Sequence, residues 1–194
     1  MKKHWGLMTL GVVALFAMPI AGQAASIVSG GNTTATVNLE EDVNSDIEIT
    51  SAPTIDFGTA KITASSMTLT ANSIDDPITV KNPGKTSGWN VTVNSDGFKN
   101  GTGEVDLGAT LNLDGGTPTP EEASNQSTAP TAPSTVAVDG TGADSNVFTA
   151  QIGAGMGTWT DVFSTSDVTL DIPAGASTDQ YTTNLTWTLT NGPA

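Results

Sequence analysis

The chain has 194 residues, with 20 Asp or Glu against 6 Lys and no Arg, giving a net charge of −14. Cys is absent and the one His, His4, stands near the start. These absences exclude a disulfide scaffold, a Cys-His or Ser-His-Asp triad in the main body of the chain, and an ordinary zinc or haem site there. So few cations against so much negative charge also argue against a nucleic-acid surface.

In chain order, residues Met1–Ala24 read as a secretory signal peptide. Lys2, Lys3 and His4 give a positive start, Leu7–Ala17 is an apolar run, and Gly22-Gln23-Ala24 supplies small residues for cleavage. The apolar run is too short to span a bilayer, and no second one follows. Cleavage after Ala24 would remove Lys2 and Lys3 and leave a single exported domain, residues 25–194, with a net charge of −16. Helical periodicity is absent beyond this point. What recurs is short apolar/polar alternation between turn clusters, the pattern of antiparallel strands. Strands are expected at Thr34–Leu39, Asp46–Thr50, Thr54–Phe57, Met67–Leu69 and Ile78–Val80, with Asn72–Pro77 separating the last two. Trp89–Val93 and Ala109–Leu113 continue the series. Residues 114–133, rich in Gly, Pro, Ser and Thr, offer little apolar surface and are expected to form a long flexible loop. Alternation returns at Thr135–Val138, Val147–Ala150 and Asp167–Ile172, separated by the glycine-rich turn Gly153–Gly157. It is cleanest at Tyr181–Leu189, where Tyr181, Thr183, Leu185, Trp187 and Leu189 share a face. About ten short strands of this kind predict an all-β, antiparallel, immunoglobulin-like β-sandwich.

The segment Tyr181-Thr-Thr-Asn-Leu185-Thr186-Trp187-Thr-Leu189-Thr-Asn-Gly-Pro193 resembles the C-terminal signature of the WxL-domain surface proteins of Gram-positive bacteria. That signature is a Tyr, an apolar-Thr-Trp-x-Leu core and a closing Pro. Gly88-Trp89-Asn90-Val91-Thr92-Val93 resembles the family's upstream Trp motif, with Val91 where the family name has Leu. Leu107-Gly-Ala109, Trp159 and Val168-x-Leu170-x-Ile172-Pro173 fall where the family pattern places such residues. The resemblance runs from about Thr34 to Pro193. An Arg often found before the upstream motif is missing, and Lys85 occupies its neighbourhood; a lysine is a point charge rather than a bidentate fork.

The resemblance implies an exported, non-enzymatic protein held non-covalently on the cell wall by binding peptidoglycan. Trp89, Val91, Tyr181, Leu185, Thr186, Trp187, Leu189 and Pro193 are the motif residues through which it would act. It also implies membrane-anchored partner proteins, so a protein–protein interaction subunit is the alternative role. A sortase sorting signal is not present in the sequence, in keeping with non-covalent attachment.

Strand parity places Trp89 with Val91 and Val93, and Trp187 with Leu185 and Leu189. Core packing is therefore the expected place of both tryptophans, ahead of stacking on sugar rings. Trp159, after the glycine-rich turn, is the tryptophan expected at the surface. The opposite faces carry Asn90, Thr92 and Asn94, and Thr182, Asn184, Thr186, Thr188 and Thr190: ladders of amides and hydroxyls that suit either a solvated sheet or a glycan. No cofactor is expected, calcium being the one alternative a strongly acidic surface leaves open. Asp42-x-Asn44-x-Asp46 has the opening spacing of a calcium loop, but Ile47 and Pro53 stand where the turn glycine and the bidentate Glu should be.

Overall fold

The structure is a computed structural model that describes residues 34–193; the expected signal peptide lies outside the described residues. The chain divides into two compact units at Leu39/Glu40, and every strand among the described residues belongs to the second. In the first, Thr34–Leu39 is not a strand, contrary to expectation, and Val37 and Leu39 stand 78% and 90% exposed. Alternation gives a segment an apolar face. A strand forms only where a neighbour takes its backbone groups.

The second unit is all-β. Its strands are β1 (Glu48–Ser51), β2 (Thr54–Asp56), β3 (Met67–Thr70), β4 (Ser73–Asp75), β5 (Ile78–Asn82), β6 (Trp89–Ser95), β7 (Lys99–Asn100) and β8 (Thr110–Asp114). There follow β9 (Thr119–Pro120), β10 (Thr135–Val138), β11 (Ser145–Ala150), β12 (Gly157–Asp161), β13 (Val168–Ile172), β14 (Tyr181–Thr182) and β15 (Leu185–Asn191). They assemble as β1-β5-β12-β9, β10-β8-β13-β3 and β11-β6-β15, with small pairs β14-β7 and β2-β4. All these pairings are antiparallel.

One apolar core joins the sheets. Ile78 and Val80 of β5, Trp89, Val91 and Val93 of β6, Leu111 and Leu113 of β8, Val168 and Leu170 of β13 are all buried within it. Strand alternation explains their spacing, since side chains two apart share a face. In β11 four consecutive residues, Val147–Ala150, are buried. A register shift against β6 between Asn146 and Phe148 breaks the two-residue period there and turns both Val147 and Phe148 inward.

The glycine- and proline-rich stretch 114–133 has no long strand but is tied down, rather than forming the free loop expected. Its Thr119 and Pro120 form β9 against Thr160 and Trp159, and the Glu121 N–H donates to Thr158 O at 3.0 Å. Further along, the N–H of Thr131 and that of Thr149 each donate to the other residue's carbonyl at 2.8 Å. Backbone partners on β12 and β11 supply the ordering that apolar side chains in this stretch could not.

That cover corrects the expectation for Trp159, which is 3% exposed. The residue belongs to β12, flanked on both sides by β5 and β9, and its indole N–H donates to Met156 O at 2.9 Å.

Candidate functional site

The two tryptophan motifs, far apart in sequence, lie side by side as β6 and β15. Leu189 pairs with Val91, Trp187 with Val93 and Asn191 with Trp89. Just beyond, the Gly192 N–H donates to Gly88 O at 3.0 Å and closes the end of the ladder next to Pro193. Gly88 itself has φ +74°, and a Cβ there would approach Ala150 O to 2.6 Å, so this corner requires glycine.

The inner face of the pair is structural. Trp89 and Val91 are fully buried. The Trp89 ring meets Phe148 edge-on, with centroids 4.8 Å apart, and its indole N–H donates to Gly155 O at 3.1 Å. Those contacts, with about 1.5–3 kcal/mol of burial for each large apolar side chain, make this the anchor of the sheet. Leu185, Trp187 and Leu189 on β15 are only half-buried, packed against the same core from its margin.

Two of them, Leu185 and Trp187, border an open groove of about 910 Å³. Leu185 and Trp187 form one wall and Met67 and Leu69 of β3 another, with Leu111, Leu170 and Ile172 between them. Tyr181 stands at the rim, its hydroxyl 2.6 Å from Ser177 Oγ. Phe57, Phe98 and Leu107 also line the groove. Sequence reading did not single out Phe57, Phe98 or Leu107 as one surface, because they come from separate, irregular stretches that share no spacing.

The outer face is polar and accessible. Thr186, Thr188 and Thr190 are exposed along β15, opposite Asn94, Thr92 and Asn90 of β6. Not all of this ladder is free: Asn90 is buried and its Oδ1 accepts from Thr149 Oγ1 at 2.8 Å, and Asn94 Nδ2 donates to Asp144 Oδ1 at 2.6 Å. The exposed hydroxyls of Thr186, Thr188 and Thr190, with half-buried Thr92 beside them, form a polar strip along this face.

Lys85 is drawn into local electrostatics. Its side chain is 16% exposed and its Nζ lies 3.3 Å from Glu41 Oε1 and 3.6 Å from Asp46 Oδ1. Buried Asn82 fixes its backbone, accepting from Lys85 N–H at 2.7 Å and donating to Lys85 O at 2.9 Å. The calcium-like spacing is used differently from a metal loop. The Asp42 carboxylate accepts from Ser45 Oγ at 2.7 Å and from Asn44 N–H at 2.9 Å, bonds that hold it below the usual carboxylate range, while Asp46 faces Lys85. Among the described residues no group of three or more His, Asp or Glu converges as metal ligands, and no helix is long and apolar enough to cross a membrane.

A family model described as a WxL domain, surface cell wall-binding, matches residues 30–193. No curated protein and no solved structure matches the chain significantly.

Proposed function

The chain belongs to the WxL family of surface cell wall-binding domains, and from that premise we propose that it attaches non-covalently to the wall by binding peptidoglycan through the outer face of β15. The observation that carries this reading is the run of three exposed hydroxyls, Thr186, Thr188 and Thr190, two residues apart on one strand. Strand geometry spaces alternate side chains by about 7 Å along a flat surface, which suits an extended polymer rather than a small molecule. Each hydroxyl both donates and accepts, as sugar hydroxyls and stem-peptide amides require. Individual bonds of about 0.5–1.5 kcal/mol gain from repetition along the wall. The half-buried motif residues Trp187, Leu185 and Leu189 support the strip by holding β15 against the core. WxL is a binding family rather than an enzyme family, and the reading includes attachment without cleavage.

The test is co-sedimentation with peptidoglycan stripped of protein and teichoic acid, with and without calcium. Saturable pelleting is expected. The variant T186V/T188V/T190V, which keeps the β-branched shape and removes the hydroxyls, is expected to pellet at least about tenfold more weakly with its melting temperature retained. Wild-type protein left in the supernatant under both conditions overturns the reading.

The outer edge of β15 has no paired strand among the described residues. That edge favours a second reading, an interaction subunit that receives a strand from a membrane-anchored protein. Recovery of such a protein from membrane extract on immobilised wild-type chain, and its loss on a β15 edge variant, would establish it.

A further inference from the structure

The groove beneath the half-buried motif residues has a second property, independent of wall attachment. Two of the strands that line it, alongside residues 52–60 and 176–184, are sheet edges. β3 ends the order β10-β8-β13-β3, and β15 ends the order β11-β6-β15. Met67 and Leu69 of the first and Leu185 and Trp187 of the second face the same 910 Å³ space. Unpaired backbone groups and half-covered apolar side chains therefore meet in one place, the two things an inserted strand supplies together.

The same chain carries a segment of matching form. Thr34-Ala-Thr-Val-Asn-Leu39 alternates apolar Ala35, Val37 and Leu39 with polar Thr34, Thr36 and Asn38. It contains no charge, Gly or Pro, and the acidic run Glu40-Glu41-Asp42 begins only after it. It is not a strand, and Val37 and Leu39 stand 78% and 90% exposed. Six residues extend about 20 Å, within the length offered by the seven residues of β15.

We propose that the groove takes Thr34–Leu39 of a second copy of this chain as an added strand. Ala35, Val37 and Leu39 would enter the groove and the polar residues would continue the outer face of β15. Donor and acceptor surfaces differ, so the contact is heterologous and builds a closed ring or an open chain of copies. Net charge of −14 per copy opposes the approach, and a segment without charge of its own adds nothing to that barrier. Association consequently strengthens as salt screens the repulsion, the reverse of the behaviour expected for docking of a basic foreign partner.

Light scattering on the purified protein tests this. The expected result is a mass that rises with concentration and further with salt, and V37D/L39D remaining a monomer with an unchanged melting temperature. Because the chain has no Cys, single-cysteine proteins T36C and T188C, mixed and oxidised, report the pairing directly as a disulfide-linked dimer. A wild-type monomer at every concentration and salt overturns the proposal. So does V37D/L39D associating like wild type, which would place the contact elsewhere. A third contrary result is a T36C/T188C double variant that links only within one chain while the mixed singles do not link. Pelleting of monomeric V37D/L39D with peptidoglycan keeps this outcome separate from that of the wall-binding reading.

Discussion

Asp161 carries the least favourable charge in the unit. Its carboxylate is fully buried, and neither oxygen accepts a hydrogen bond among the described residues. Burial pushes its pKa up to about 6, outweighing the nearby Val162 backbone N–H, which pulls the other way. The folded value lies above the ordinary one of 3.8, so the folded state holds the proton more tightly and ionisation penalises folding. The penalty, about 3 kcal/mol, is fully present above pH 7 and is relieved as pH falls through 6 towards 3.8. D161N is therefore expected to raise stability at pH 7.5 relative to wild type and to lose that advantage by pH 4, as read from urea midpoints at the two values. The site is tight as well as dry: a Cβ on Gly116 would overlap the Asp161 carboxylate. None of this was legible in the sequence. Gly157-Thr-Trp-Thr-Asp161 follows a glycine-rich turn, and an aspartate after a tryptophan reads as surface. Only the neighbours β5 and β9 turn Trp159 and Asp161 inward together.

At the scale of elements, hydrogen bonds across neighbouring strands reinforce the sheet containing β8 and β13. Asp171 on β13 accepts from Thr68 Oγ1 of β3 at 2.6 Å and from Asn112 Nδ2 of β8 at 2.8 Å, one side chain stitching three strands. The cluster is exposed, so D171A is expected to cost only about 1 kcal/mol, seen as a lower urea midpoint with an unchanged slope. Strands with clean alternation were readable in advance. Thr135–Val138 falls where it was expected, and Trp89–Val93, Ala109–Leu113, Asp167–Ile172 and Tyr181–Leu189 mark the right segments with ends shifted or, in the last, a break at residues 183–184. β4, β7 and β9 were missed because two or three residues carry no period, and β12 because its glycine start masked the pattern. The pairing of β6 with β15 was not readable either: parity gives each tryptophan a face, while which strand lies beside it is decided by packing far along the chain. Of the motif residues, Tyr181, Leu185 and Trp187 line the groove and Thr186 the outer strip, while Trp89 and Val91 are core; the shape of both surfaces comes from tertiary structure.

At the scale of the whole molecule, charge governs how the protein meets its surroundings. A chain of net charge −14 is repelled by an anionic wall, weakly at physiological salt, where the Debye length is about 8 Å. Retention on stripped peptidoglycan is expected to hold or rise as salt increases from a few millimolar to physiological strength. A steep fall would instead show ion pairs carrying the attachment, to which the four lysines of the expected mature chain are poorly suited. The ladder between β6 and β15 has a consequence in time as well as in space. β6 pairs with β11 on one side, Trp89 opposite Ala150, but gains its second neighbour only at Leu185–Asn191, so the sheet holding the buried Trp89 cannot be completed until nearly all of the described chain has been synthesised. Closing so distant a contact is slow. The nascent polypeptide consequently carries β6 with one edge open through most of its synthesis, and the last strand to emerge is the one that closes it.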